Sequence, residues 1–510
     1  MNLLRDPVFS VVLPGQQRAN LSLPDVLARL SGDDILSFEA LQIHQEQAWY
    51  CFLVQLAAIA LARTSLGNLS DSPDDWRNAL RELTPEFPDH EPWKLVVPDL
   101  SKPAFMQPPG KTAELPKFQD LGSATDALDV LILSKNHDVK ARRVSAPRPE
   151  HWVFALVCLQ TMEGFSGRDN YGIARMNGGF ASRPWVGLAV DEAIGPRFRR
   201  DIQICADSRE RLLDEYGYAE AGLALLWVPK WLGTDSLSLQ ELAPFFIEIC
   251  RRIRLAPTGT GGELHAFFKS TAKARVAAKE LCGNLGDPWI PVNRSKNASL
   301  TLSRAGLDYE TLHRLLLGDD FRTAPCQEFQ RDDPKALLFK GVGLTRGQGI
   351  TEGFHSRTLP IPGKVRLMLS RQAERDRLRE LSNQRIQDAA TMQSKVLRPA
   401  LLNLLQGAPD KLNLRDGSAA HWTSSFRARV DDIFFPQLWA DADTSETEAA
   451  RNWVCVLRDL AVELFETAVR SVPLNSADRY RVIAQAEGLL RGSLHKQFPV
   501  LAEQGEEQAS

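Results

Sequence analysis

Cysteine is scarce and scattered in this sequence: seven thiols stand at 51, 158, 205, 250, 282, 326 and 455, with no C-x-x-C spacing. That spacing excludes a sequence-coded zinc knuckle or redox pair. An odd, dispersed set reads as reduced thiols in a cytoplasmic protein, and most are expected in the core. Long apolar runs are also missing. The longest, 48–62, is 15 residues and includes Gln55, short of the roughly 20 that span a bilayer. Residues 1–6 lack the basic start of a secretory signal, so the expectation is a soluble cytoplasmic chain with no membrane partner. Catalytic motifs are absent too: no G-x-x-x-x-G-K-[ST], no H-E-x-x-H and no dinucleotide fingerprint. Gly164-Phe165-Ser166-Gly167-Arg168 misses the nucleophile elbow because its second glycine falls one place early. With nine histidines in 510 residues, the lone pair His137-Asp138 is no metal site. The reading is a non-enzyme with no catalytic residue, no metal and no cofactor.

Charge of one sign is lacking overall, at −3 net, but its distribution is uneven. Residues 361–430 hold 13 Lys/Arg against 6 Asp/Glu, while 431–448 holds six carboxylates and no Lys or Arg. Binding a nucleic-acid backbone needs only a local basic footprint. The composition, 44% apolar and 25% charged, is that of an ordinary globular chain, and its length suits about three domain-sized units.

The N-terminal part reads as mixed α/β. A strand is expected over 8–13, a turn over 15–18, and helices over 23–30 and 38–62. A proline-rich irregular stretch covers 85–109. A basic loop over 134–148 carries Lys135, Asn136, His137, Lys140, Arg142 and Arg143, and a buried helix follows over 152–162. From 186 to 360 short strands and helices alternate, with helices expected over 244–253 and 263–281 and a strand then a helix over 296–318. The C-terminal third carries helical periodicity over 366–406, 421–436, 446–471 and 476–497. Ser445 with Glu448 forms a capping-box pattern. Trp453, Leu457, Leu460, Leu464 and Ala468 fall on one stripe, as do Val482, Ala486, Leu489 and Leu494. Four such helices predict an all-α four-helix bundle. The expected division is 1–362 (mixed α/β), 363–500 (bundle) and 501–510 (flexible tail).

Four features are candidates for touching nucleic acid. The first is the loop containing Gly164, Phe165, Ser166, Gly167 and Arg168 and running on to Gly178-Gly179; five glycines in sixteen residues allow close backbone approach, and Arg168, Asn170 and Arg175 offer donors. The second is the glycine-rich stretch 341–350, where Gln348 follows Arg346 and could enter a duplex. The third is a turn with Arg294 and Lys296. The fourth is the first bundle helix, with Arg371, Arg375 and Arg379 at i,i+4 spacing and Lys395 and Arg398 beyond. Each also has a structural alternative: surface loop, simple turn, solvated hairpin tip or ordinary helix surface. The function that competes with DNA readout is a non-catalytic protein-binding adaptor or scaffold.

Taken in order, these features resemble the large subunit (CasA-like) of the type I-E CRISPR surveillance complex, Cascade. The opening Met1-Asn2-Leu3-Leu4-Arg5-Asp6, the segment Pro103-Ala104-Phe105-Met106-Gln107, the loop Gly164-Phe165-Ser166-Gly167 with Gly178-Gly179, and the rhythm of the final helix are each similar to that family. The resemblance implies a non-catalytic subunit that reads the protospacer-adjacent motif (PAM) of double-stranded DNA from the minor groove and wedges the duplex open for guide pairing (the R-loop). It also implies a platform for a helicase–nuclease or variant effector. Residues 164–168 would lie at the motif, Arg294 or Lys296 would be the basic finger, and Gln348 with Arg346 the wedge. The loop from Lys135 to Arg143 would dock on the complex and its guide, and the bundle cations would lead the opened DNA strands. Implied partners are the backbone, 5′-handle-binding and small subunits, CRISPR RNA and target DNA. Three departures stand out: no C-x-x-C zinc cluster precedes the finger, Ser166 replaces a glycine with Arg168 added, and Arg346-Gly347-Gln348 replaces N-N-Q.

Overall fold

A computed structural model describes residues 1–131, 144, 146–179, 182–259, 262–347, 350–473 and 477–501. The expected docking loop Lys135, Asn136, His137, Lys140, Arg142 and Arg143, the wedge residue Gln348 and the tail after 501 lie outside them. The chain divides into two compact units. One comprises Met1–Leu307 and Asp319–Ile361; the other comprises Asp308–Gly318 and the chain from Pro362 onward.

The first unit is mixed α/β, with several small sheets around buried helices. Helix Glu46–Arg63 is apolar on nearly every side, so it is buried rather than amphipathic. Its Trp49 stacks on Phe52 and meets the rings of Phe9, Phe38 and Phe154 at 5.0–5.9 Å. Its one polar intruder, Gln55, donates to the carbonyls of Phe245 and Phe246 at 3.0 and 3.1 Å. Helix Pro149–Met162 is buried in the same way. Its Gln160 uses its whole amide: it donates to Met106 and Arg251 carbonyls and accepts from the amides of Cys250 and Arg251. Gln107 makes a similar cross-link, donating to Leu95 and accepting from Leu255. A buried amide satisfied this fully fixes one arrangement of its neighbours.

Among the described residues, four three-stranded antiparallel sheets and one parallel pair complete the unit. The sheet most relevant below orders Ile350–Ile361, Leu337–Gly347 and Trp185–Ala189. Two expected helices are instead strands. Residues 244–253 contribute to Leu242–Ile247 and Arg252–Thr258, and 263–281 opens with strand Glu263–Lys269. The run Phe245, Phe246, Ile247 is buried on both faces, and such a run carries no period that separates strand from helix.

The second unit is helix-rich, but it is not a simple four-helix bundle. Helix Gln372–Thr391 continues through a π-turn, Met392–Leu397, into Arg398–Leu405; Ala420–Ala440, Glu446–Ser471 and Arg479–Gln497 follow. Two short helices, Gly363–Leu369 and Tyr309–Leu316, are added. The second comes from within the α/β sequence. Tyr309 stacks on Phe434 at 4.8 Å, its amide donates to Asp431, and His313 bonds Ser382. Ser445 caps Glu446–Ser471 through the Glu448 amide. The buried stripes use Ala461 where Leu460 was expected and Leu490 where Leu489 was expected, a one-residue drift natural to a 3.6-residue period. All seven cysteines are free; five are buried, and Cys282 and Cys455 are half-buried. No helix among the described residues is long and apolar enough to cross a membrane.

Candidate nucleic-acid interface

The glycine loop begins where helix Pro149–Met162 ends. Glu163 is buried at 4% exposure and extends its carboxylate to Arg346, near the end of strand Leu337–Gly347. The two guanidinium nitrogens donate to the two carboxylate oxygens at 2.9 and 3.0 Å. Arg346 also donates to the Val130 carbonyl, and Thr351 on the return strand donates to Leu131 at 2.7 Å. One buried ion pair thus joins the start of the glycine loop, the turn end of the hairpin formed by Leu337–Gly347 and Ile350–Ile361, and the chain just before the basic loop. Arg251 adds a second cation 3.7 Å from Glu163 and donates to the carbonyls of Gly164 and Tyr171. A cleft of about 220 Å³ opens here, lined among others by Glu163, Ser166, Asn170, Arg251 and Arg346.

The loop tip is a closed turn. Ser166 N–H donates to the Asn170 carbonyl and Asn170 N–H to Gly167, with Gly167 at φ +110°. Phe165 N–H donates to the Gly179 carbonyl at 3.0 Å, so both glycine stretches face each other. Gly172 supports this packing from beneath. A Cβ there would lie 2.4 Å from the Gly164 carbonyl carbon, so only glycine lets the two backbones meet. Gly164 is buried, while Ser166 and Arg168 are exposed. Among the described residues no hydrogen bond or ion pair engages the Arg168 side chain.

Arg175, expected as a donor to bases or phosphates, is instead an internal strut at 3% exposure. It pairs with Asp287 at 3.1 Å and Glu248 at 3.6 Å and lies 3.9 Å over the Phe246 ring. Glu248 accepts from the Ala174 amide at 2.6 Å. Burial pushes its carboxyl up to about 7, against the opposing pull of Arg175. Arg183 pairs with Asp287 as well.

The turn with Arg294 and Lys296 connects Val292–Asn293 to Ala298–Ser299. Arg294 turns back, donating to the Phe321 carbonyl at 3.3 Å. Lys296 is exposed at the tip, and its ammonium meets no described partner. The hairpin is tied to the glycine-loop region through one segment. Asn284 donates to Asn297, Ser299 N–H to the Cys282 carbonyl, and Gly283 packs between Ser299 and the Met176–Asn177 backbone.

Arg346 therefore departs from its expected role as part of a duplex wedge: its side chain is 1% exposed and committed to Glu163. The bundle cations also differ from a free strip. Arg371 pairs with Glu374 at 2.9 Å and Arg379 with Asp376 at 2.7 Å, while Arg375 and Arg398 donate to the carbonyls of Gly318 and Asp416. Lys395 is exposed without a described partner. Glu163 had no sequence signal beyond being a charge at the end of an apolar helix, and its partner lies 183 residues away. Among the described residues no group of three or more His, Cys, Asp or Glu could hold a metal ion.

No protein-family model matches this sequence, and no curated protein matches it either. Solved structures do match. The CRISPR-associated protein Cse1 from Acidimicrobium ferrooxidans superposes with a TM-score of 0.63 at 14% identity, over 97% of this chain and 98% of that one. CasA of Thermus thermophilus gives 0.62 at 13% identity over 97% and 99%. A chain of a CRISPR RNA-guided surveillance complex gives 0.58 at 14% over 96% and 99%. Likeness at this identity shows the fold, and the fold shared with these proteins extends along nearly the whole chain.

Proposed function

We propose that this chain is the non-catalytic large subunit of a Cascade-like surveillance complex, reading a short motif in double-stranded DNA and starting its opening. The observation that carries the reading is the Glu163–Arg346 joint, which ties the base of the glycine loop to the turn end of the hairpin in whose sequence Gln348 follows two residues on. The fold shared with Cse1 and CasA supports it.

In this reading the exposed tip at Ser166 and Arg168 meets the minor groove, where A·T and T·A present the same acceptors, so several related motifs are tolerated. Lys296 supplies a phosphate contact. Gln348 enters the duplex beside the motif at a cost of about a few kcal/mol of unstacking, sustained only where motif contacts already exist. Guide pairing then supplies sequence fidelity in a nearly balanced exchange of duplexes. The basic loop at 135–143 docks on guide RNA and neighbouring subunits, Lys395 lies on the path of an opened strand, and an effector nuclease is recruited afterwards.

The test is to assemble the guide-bound complex with and without this chain and bind it to matched duplexes carrying a randomised flank. Dependence on the chain with enrichment of a short motif is expected. Gln348→Ala is expected to impair strand opening more than first binding. Equal binding without the chain and no enriched motif would refute the reading in favour of a protein-binding adaptor.

A further inference from the structure

One buried cation in the first unit has no bonded counter-group among the described residues, the carboxylates of Glu46 and Asp201 acting on it only at longer range. Arg197, on helix Ile194–Tyr216, is 8% exposed, yet it forms no hydrogen bond or ion pair with any described residue. Its Nε is sealed from water without an acceptor. Its guanidinium lies 3.8 Å over the Tyr50 ring and 5.0 Å from that of Trp185. Every other arginine buried to this degree and discussed above has a carboxylate or carbonyl partner. A buried guanidinium N–H without an acceptor is costly, and a ligand oxygen on the remaining nitrogens would offset that cost.

Arg197 lines a groove of about 240 Å³ whose apolar floor is Phe38, Leu41, Trp49, Tyr50 and Leu53. Leu36 stands on its rim at 46% exposure, and Ile43, between Leu41 and Glu46, is 62% exposed. Strand Ser37–Phe38, which borders the groove, is the edge strand of its sheet. The remaining charges lining the groove are Glu46, which does not reach Arg197 as an ion pair, and Glu192 and Lys340, which are paired with each other.

We propose that this groove docks an extended segment of a partner protein in which one acidic residue sits between aliphatic residues. The carboxylate would bond Arg197 and the aliphatic side chains would cover Leu36 and the floor. The lining charges balance, Arg197 and Lys340 against Glu46 and Glu192, so the groove has no positive excess for a phosphodiester chain with a charge at each step, whereas a peptide with a single carboxylate matches the single unbonded guanidinium. The inference goes beyond the DNA reading and does not rest on it.

The probe is the capped pentapeptide Gly-Leu-Asp-Leu-Gly against its Asn counterpart, titrated calorimetrically into the full chain. The Asp peptide is expected to bind about tenfold more tightly, as one charge-assisted hydrogen bond allows. Arg197→Gln should erase that preference. Leu36→Glu, at an exposed rim position that does not threaten folding, should weaken the Asp peptide several-fold. Equal affinity of the two peptides, no binding of either up to about 5 mM, or displacement of the Asp peptide by oligo-dT would each overturn the proposal.

Discussion

Replacing Arg346 by methionine tests the joint on which the functional reading turns. The substitution keeps most of the aliphatic volume and removes both hydrogen bonds to Glu163 and the bond to Val130. Breaking a buried pair by removing one partner costs about 3–5 kcal/mol, because the other charge is left uncompensated. Here Arg251 remains 3.7 Å from Glu163, which puts the expected cost at the lower end, about 3 kcal/mol. That is roughly a hundredfold in a local equilibrium. It should appear as faster hydrogen exchange at 163–166 and 344–347, and as a lower urea midpoint followed by tryptophan fluorescence. In the assembled complex, motif binding should weaken less than strand opening, read by 2-aminopurine placed beside the motif. The double variant Glu163→Gln/Arg346→Met should recover part of the lost stability, since no carboxylate is left without Arg346 and only Arg251, still bonded to the Gly164 and Tyr171 carbonyls, loses a charged neighbour. A loss below about 1 kcal/mol, the range of an exposed pair, would refute the reasoning, as would simple additivity in the double variant.

Gly172→Ala should strain the loop by about 1–3 kcal/mol, because its Cβ would sit 2.4 Å from Gly164; loss of motif selectivity with the fold retained by circular dichroism is the expected result. Lys296→Ala should leave stability within about 0.5 kcal/mol but lower the salt slope of DNA binding by about one, whereas Arg379→Ala, already paired with Asp376, should leave the slope unchanged. Glu248 has its folded pKa raised to about 7, so the folded state holds a proton that the unfolded chain releases above the ordinary carboxyl range. The stability this lends is full below about pH 4.5 and is lost as pH rises to about 7, a change of about 3 kcal/mol. Glu248→Gln should therefore gain on the natural chain as pH is raised across that window, in paired urea titrations, and a constant difference between the two would refute the assignment.

How far the sequence could be read depended on whether an element's partner was near in the chain. Helices Pro149–Met162 and Glu446–Ser471 carry their own evidence: a proline start and apolar run in one, a serine cap and 3.6-residue stripe in the other. The strands around Arg251, Arg252 and Arg254 do not. Three arginines in a row of apolar residues look like a surface segment, yet each is buried. Arg254 donates to the carbonyls of Val97, Asp99 and Lys102, and Arg252 pairs with Glu114; these acceptors sit more than a hundred residues away. The capture of Asp308–Gly318 by the helical unit is equally silent in the sequence, because its contacts to Ser382, Asp431 and Phe434 belong to a later stretch. The glycine loop was visible as composition. Its attachment to the hairpin rested on two lone charges, Glu163 and Arg346, that nothing local connects.

The same logic applies to the basic excess of residues 361–430. Counted along the chain it promised a strip of free cations, but a sequence window separates charges that the fold brings together. Lys364 pairs with Asp443, Arg385 with Asp441, Arg429 with Glu463 and Arg427 with Asp308, and all four acids lie outside the window. Those pairs cancel four positive charges of the excess, and Arg371 and Arg379 are spent on acids inside it. What is left for a phosphate backbone on this stretch is Lys395, Lys411 and Arg415, exposed and without a described side-chain partner, together with cations such as Arg398 whose hydrogen bonds go to carbonyls rather than carboxylates. Counterion release scales with the phosphates neutralised, so this stretch should contribute about three to the salt slope of DNA binding, whereas a free strip of the window's full excess would contribute about twice that. Removing Lys395, Lys411 and Arg415 together should abolish most of this stretch's share. A slope that survives their removal would place the strand path elsewhere on the protein.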